Sequence, residues 1–209
     1  MSTSSSGPDL SSVGALVLAA GKGTRMHSDA PKVLQVLLEK PMLAYVFDAL
    51  SPVVGGRIWT VIGHQADKVR SVFPDHENSF ILQKEQNGTG HALQVAWPVL
   101  ERAGVRHVLV INGDTPLVEP DVLQCFLEDA LVNDADAAFI TLTLESPGAF
   151  GRVVRDARGA VRAIIEAKDF DSALHGRETG ENNAGSYCFK ASAISPFLSR
   201  LGAVNKSGA

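Results

Sequence analysis

The strongest constraint on this chain lies in residues 15–32. The run Ala15-Leu16-Val17-Leu18-Ala19-Ala20 passes straight into Gly21-Lys22-Gly23-Thr24-Arg25. An unbroken apolar run bounded by glycine reads as a strand buried on both faces, as in parallel sheets covered by helices. Glycines at 21 and 23 let the following loop turn tightly with its N–H groups aimed inward. Lys22, Arg25 and Lys32 add positive charge close by. A strand that empties into a glycine-rich, cationic loop suits phosphate groups. The glycines alone would equally serve a plain strand-to-helix turn. Two common phosphate loops do not fit: Met26 stands where the dinucleotide pattern needs a third glycine, and no Gly-Lys-Ser/Thr closes a Walker-type loop.

Beyond this stretch the chain alternates strand and helix patterns. The apolar spacing predicts a helix over 42–50, ended by Ser51-Pro52, and a strand over 57–62 that stops at Gly63. A short helix over 65–73 stops at Pro74, a short strand follows over 80–83, and a helix over 90–97 ends at Pro98. A strand over 107–111, a helix over 121–131 and a strand over 137–144 complete the series. The alternation predicts an α/β fold: a doubly wound, mostly parallel sheet with helices on both faces. From about residue 146 the rhythm changes. Residues 150–155 and 161–166 read as two strands joined through Asp156-Ala157-Arg158-Gly159, a β-hairpin expected to be an appended lid. A polar loop then runs to Gly185, before the apolar run 186–189.

Composition closes off several classes. A chain of 209 residues with 45% hydrophobic and 20% charged residues has enough apolar material for one α/β domain. Residues 1–13 are rich in serine and glycine and read as a flexible tail, leaving 14–209 as the domain. The start lacks the basic and apolar regions of a signal peptide, and no apolar run approaches the ~20 residues of a membrane span. A net charge of −4 and a pI near 5.8 argue against a nucleic-acid partner, which would need a basic face. Cys125 and Cys188 lack metal-ligand spacing and sit in apolar runs, so both are expected to be reduced core cysteines of a cytoplasmic protein.

Three polar stretches carry chemistry. In Gln83-Lys84-Glu85-Gln86-Asn87-Gly88-Thr89-Gly90-His91-Ala92, the glycines permit close backbone approach. The glutamine amides offer donors and acceptors to the edge of a nucleobase. Its plainer reading is a strand-to-helix turn. In Asn112-Gly113-Asp114-Thr115-Pro116-Leu117 a carboxylate follows the C-terminal end of a buried strand, where open α/β sheets bind ligands. Mg²⁺ takes one or two carboxylates together with substrate phosphates, which suits Asp114; a turn-capping Asp is the alternative. The third group is Gly151-Arg152-Val153, Glu166 to Asp169 and Asn183-Ala184-Gly185, which on its own reads as solvated loop polarity.

The string from Leu18 to Met26, with Pro31-Lys32 after it, resembles the signature loop of the sugar-1-phosphate nucleotidyltransferase family. Gln83-x-x-Gln86-x-Gly88-Thr89-Gly90-His91-Ala92 is similar to the uridine-recognition loop of the bacterial bifunctional N-acetylglucosamine-1-phosphate uridyltransferases, and Gly113 to Leu117 resembles their Gly-Asp-x-Pro-Leu turn. The likeness covers about residues 14–206. It implies a Rossmann-like sheet of the nucleotide-diphospho-sugar transferase type. It also implies Mg²⁺-dependent conversion of UTP and N-acetylglucosamine-1-phosphate to UDP-N-acetylglucosamine and pyrophosphate, for cell-wall and aminosugar precursors. On this resemblance Leu18, Ala19, Ala20, Gly21, Gly23, Lys32, Gln83, Gln86, Gly88 and Thr89 hold the nucleotide. Arg25 and Lys32 act on its phosphates, and Asp114 is the metal ligand. Asn112, Gly151, Glu166 and Asn183 hold the sugar. The partners implied are small-molecule substrates, with no nucleic acid and no membrane, and an oligomer within a longer parent protein.

Two departures stand out: Asn112 occupies a position that is often aromatic in that family, and Ala184 replaces its usual Thr. The hexapeptide repeats of the family's acetyltransferase half are absent from this stretch. The resemblance implies a uridyltransferase domain that continues past residue 209, truncated here ahead of an Asn that is the second metal ligand. Two alternatives remain: another sugar-1-phosphate or small-phosphate nucleotidyltransferase, including the cytidylyltransferases of isoprenoid and molybdopterin synthesis, or a nucleotide- and sugar-binding domain without turnover.

Overall fold

The computed structural model describes residues 7–21 and 30–201. Lys22, Gly23, Thr24 and Arg25 lie outside the described residues, so the reading of the loop's second half gains no structural account. The chain divides into two compact units, Met1–Ala138 with Cys188–Ala209, and Phe139–Tyr187.

The first unit begins with a 3-10 turn, Leu10–Ser12, capped by the Asp9 carboxylate, which accepts from the Ser11 N–H. Strand β1 (Val13–Ala19) follows, then a two-stranded ribbon of β2 (Val36–Leu37) and β3 (Lys40–Pro41). Next come α1 (Met42–Val54), β4 (Ile58–Ile62), α2 (Ala66–Val72), β5 (Phe80–Leu82), α3 (Gly88–Arg102), β6 (His107–Asn112) and α4 (Pro120–Val132). The chain then passes through β7 (Ala137–Thr143), β8 (Arg152–Arg155), β9 (Val161–Ile165) and α5 (Ser172–His175). It returns through β10 (Glu181–Lys190) to α6 (Ala191–Leu198).

Strands β5, β4, β1 and β6 lie in that order and pair in parallel. Alternation along β1 explains the helices on both faces. Val13, Ala15, Val17 and Ala19 enter one apolar cluster with Leu43, Val46 and Leu50 of α1 and Leu123 and Leu127 of α4. Leu16, equally buried, points to the other face, where α3 packs with Leu93, Ala96, Trp97 and Leu100 buried. Gly14 shares that face for want of space: a Cβ there would lie 2.8 Å from side-chain atoms of both Trp59 and Val105.

Of the three prolines expected to end helices, Pro74 does follow the end of α2, but the other two do not end theirs. Pro52 lies inside α1 and Pro98 inside α3. A helix-interior proline costs ~3 kcal/mol. Beyond Pro52, however, α1 still buries Val53 and Val54, and beyond Pro98 α3 still buries Leu100; each such side chain returns ~1.5–3 kcal/mol. Helix α1 stops instead at Gly55, whose φ of 59° an L-residue rarely adopts and whose N–H donates to Ser51 O.

The order of the strands fixes where a ligand site can form. From β1 the chain moves outward to β4 and β5, then crosses back to place β6 on the opposite side of β1. The direction of winding therefore reverses between β1 and β6, and in open α/β sheets the crevice at the carboxyl ends of such a pair is where ligands bind. Those ends are level, with Leu18 paired to Asn112.

At the far end of β6, both ring nitrogens of His107 are sealed from solvent without a hydrogen-bond partner. Burial pulls its pKa below the usual 6.5, the charges of Lys190 and Arg106 pull the same way, and Asp134 opposes them. A lowered folded pKa means that the unfolded chain binds the proton first. Stability is therefore undiminished above about pH 6.5 and falls as pH drops from there toward the lower folded value. The urea midpoint of the wild type is expected to fall more steeply between pH 7 and 5 than that of His107→Leu; parallel profiles would remove His107 as the cause.

In the second unit, β8 and β9 form the expected antiparallel hairpin, with a bulge at Val154/Arg155. β10 pairs with β8 through Asn182 and Arg152, and β7 runs beside β10. Arg155 grips Glu181 with two hydrogen bonds of 2.7 Å and holds that carboxyl below its ordinary pKa. β10 begins at Glu181, inside the stretch expected to be loop. Its buried positions include Asn182 and Ser186 besides Cys188, so polar residues on the inward face disguise the alternation. Cys188 is buried in the core as expected, and burial pushes its thiol up to about 11. Cys125 is exposed, against expectation, because α4 turns Leu123 and Leu127 inward instead. Among the described residues no helix is long and apolar enough to cross a membrane.

Candidate active site

The carboxyl ends of β1 and β6 bring two of the sequence-predicted segments together. Leu18 O accepts from the Gly113 N–H at 2.9 Å, so the Gly113-Asp114 turn hangs directly on the strand that feeds the glycine loop. Ala20 O accepts from the His64 N–H at 3.1 Å, tying the loop's first residues to the end of β4, and Gly21 is exposed at the mouth. The fit around Gly113 is close. A Cβ there would meet Val33 Cγ1 at 3.2 Å and both Ala19 Cβ and Leu18 O at 3.3 Å.

Val33 links this fit to a cation. Lys32, Val33 and Leu34 form a single 3-10 turn after Pro31, with Val33 buried against the core. That turn presents Lys32 Nζ 2.5 Å from Asp114 Oδ2. Both side chains keep contact with solvent, 39% exposed for Lys32 and 29% for Asp114. A cation and a carboxylate 82 residues apart thus meet at the sheet's switch point. Asn112 completes the turn, its carbonyl accepting from the Thr115 hydroxyl at 2.6 Å. The mutant Gly113→Ala is expected to press on Val33 and Ala19, costing ~1–3 kcal/mol as overpacking does. Calorimetry would read this as a lower melting temperature; an unchanged midpoint would mean that Val33 and Ala19 yield without cost.

The second sequence-predicted loop lies at the end of β5. Gln83 is 2% exposed, its backbone N–H donating to Ile62 O at 2.8 Å. Its side-chain nitrogen reaches Gly88 O at 3.2 Å and His91 Nδ1 at 3.0 Å. Gln86 and Thr89 are exposed beside it, and Gly88 opens α3 with φ 89°.

Of the four residues that the resemblance assigns to the sugar, Gly151, Glu166 and Asn183 lie in the second unit and Asn112 ends β6 in the first. Gly151 O accepts from the Asn183 N–H at 2.9 Å, and Asn183 Oδ1 accepts from the Gly185 N–H at 3.0 Å. Asn183 Nδ2 donates to the Tyr187 hydroxyl at 2.5 Å. Burial raises the Tyr187 phenol above its ordinary pKa; the Asn183 bond opposes this and the nearby Glu166 charge adds to it. A Cβ on Gly151 would lie 3.3 Å from Ile164 Cγ2. Two contributors carried no assignment from sequence. His91 lay inside the glutamine loop, and Tyr187 sat in an apolar run whose polar end only the fold reveals.

Among the described residues no cluster of three His, Cys, Asp or Glu side chains could enclose a metal ion. Asp114 keeps Oδ1 without a protein partner among the described residues. A single partly exposed carboxylate fits Mg²⁺ that arrives with substrate phosphates and keeps waters, not a preformed protein cage. A cavity of about 520 Å³, lined by residues including Phe47, Trp59, Asp75 and His76, opens at the opposite end of β4 and contains none of these groups.

Comparison with known proteins finds a family and close relatives. A family model described as the MobA-like NTP transferase domain matches residues 15–177. The chain is 57% identical, over 93% of its length, to the bifunctional protein GlmU of Nitratidesulfovibrio vulgaris (strain DSM 19637 / Miyazaki F). It is 56% identical, again over 93%, to the bifunctional protein GlmU of Oleidesulfovibrio alaskensis. In each case it spans 42% of the relative's length. Among solved structures, mannose-1-phosphate geranyltransferase from Thermus thermophilus shares the fold with a TM-score of 0.75 at 19% identity, covering 90% of this chain and 60% of that one.

Proposed function

Since the chain belongs to the MobA-like NTP transferase domain family, we propose that it is a nucleotidyltransferase that transfers a uridylyl group from UTP to N-acetylglucosamine-1-phosphate, releasing pyrophosphate. The observation that carries this reading is the meeting of Lys32 and Asp114 at the winding reversal between β1 and β6. The similarity to the GlmU proteins supports the choice of sugar and base.

An oxygen of the sugar-1-phosphate attacks the α-phosphorus of UTP, and the bond to the bridging oxygen of pyrophosphate breaks. The attacking phosphate is already an anion at neutral pH, so no general base is needed. The barrier is electrostatic and positional, because two polyanions must meet in line. Gly21 and its neighbours carry the triphosphate at the end of β1. Lys32 offsets charge on the phosphates, and Arg25 is assigned the same task from sequence. Asp114 is the residue that would hold Mg²⁺, and the ion when bound supplies Lewis-acid neutralisation of the phosphates. Gln83, Gln86, Gly88 and Thr89 hold the base. Gly151, Glu166 and Asn183 are assigned to the sugar from sequence, as is Asn112. The proposed setting is the cytoplasm, in the synthesis of peptidoglycan and lipopolysaccharide precursors.

Pyrophosphate release by the 209-residue chain tests this reading, with UTP, N-acetylglucosamine-1-phosphate and Mg²⁺ set against CTP and glucose-1-phosphate controls. Release specific to the first pair is the expected result. Binding of UTP without release would favour a nucleotide-binding domain without turnover.

A further inference from the structure

Gln83 is a buried amide whose orientation is dictated by its neighbours. The end of the amide 3.2 Å from Gly88 O must be the NH₂, because a carbonyl oxygen only accepts. The same nitrogen lies 3.0 Å from His91 Nδ1, which therefore accepts the second proton and leaves the ring's own proton on Nε2. Both donors of Gln83 are then used within the protein. Oε1 has no partner among the described residues and is not sealed off, so the polar atom left for a ligand is an acceptor.

We propose that His91 is a positioning residue that sets the hydrogen-bonding sense of Gln83, so that the site reads a base presenting a ring N–H, as uracil does, and rejects cytosine. The proposal rests on the uridine reading above. Uracil N3–H donates to an acceptor. Cytosine N3 carries a lone pair and would face Oε1 with neither partner satisfied, and mismatches of that kind carry discrimination. His91 is suited to the task because it sits on the first turn of α3, where the helix holds its ring against the amide. Without the Nδ1 acceptor the amide can turn over, forfeiting the Gly88 bond but presenting its NH₂ to a base.

The test measures dissociation constants of UTP and CTP by calorimetry for the wild type, His91→Leu and His91→Asn, with circular dichroism to check α3. Leucine removes the acceptor; asparagine places Oδ1 near the position of Nδ1. The wild type is expected to prefer UTP, and His91→Leu to lose about tenfold of that preference, one hydrogen bond's worth at ~1.4 kcal/mol. The loss falls on UTP and not on CTP, and His91→Asn restores most of it. A His91→Leu variant that keeps the wild-type ratio, or weakens both nucleotides equally, overturns the role of His91 while the uridine reading stands. A wild type that binds UTP and CTP alike overturns both.

Discussion

Lys32→Ala is expected to slow pyrophosphate release about a hundredfold, because removing one well-placed charge donor from a polyanionic transition state costs ~3 kcal/mol of barrier. Its effect on stability should be far smaller. The ion pair with Asp114 joins side chains 39% and 29% exposed, and partly solvated pairs contribute ~0–1 kcal/mol. That moves the melting temperature of a chain this size by at most ~4 °C. Rate assays beside calorimetry on the same preparation separate the two effects. Wild-type turnover would remove Lys32 from the chemistry, and a large melting shift with modest rate loss would make the pair structural. Arg25→Ala is expected to act in the same direction, on the strength of the signature loop.

Leu109→Ala is expected to give the largest loss of stability. Leu109 is fully buried in the middle of β6, paired in register with Ala15 of β1, in the cluster that α1 and α4 cover. Truncating such a leucine removes its transfer free energy and leaves a cavity, ~2–5 kcal/mol in all. At ~2–4 °C per kcal/mol the midpoint should fall by roughly 10 °C. Saturating UTP should recover part of it by mass action if the folded site survives. A midpoint within about 2 °C of the wild type would contradict the packing described for this layer.

How far the sequence could be read varied with the kind of residue. β1, β4 and β6 were legible because strands buried on both faces are written as continuous apolar runs. The ends of α1 and α3 were not, since Pro52 and Pro98 are locally unfavourable and only the burial of Val53, Val54 and Leu100 shows why the helices continue. β10 was hidden for the opposite reason: Asn182 and Ser186 take inward positions that a pattern of apolar residues does not reveal.

The site divides along the same line. The sequence by itself determined which residue types were available and on which turns: the glycine loop after β1, the Gln83 loop and the Asp114 turn, each a local motif of a few residues. Tertiary structure alone decided which of them meet. Lys32 and Asp114 are 82 positions apart, and they lie within 2.5 Å because the chain crosses back over β1 before laying down β6. His91 was visible in the loop yet carried no assignment until the buried Gln83 amide was found to have spent both donors on it and on Gly88. Local motifs are set by backbone preference within a few residues. A contact between distant residues is set by strand order and packing, which the identities of the two residues do not encode.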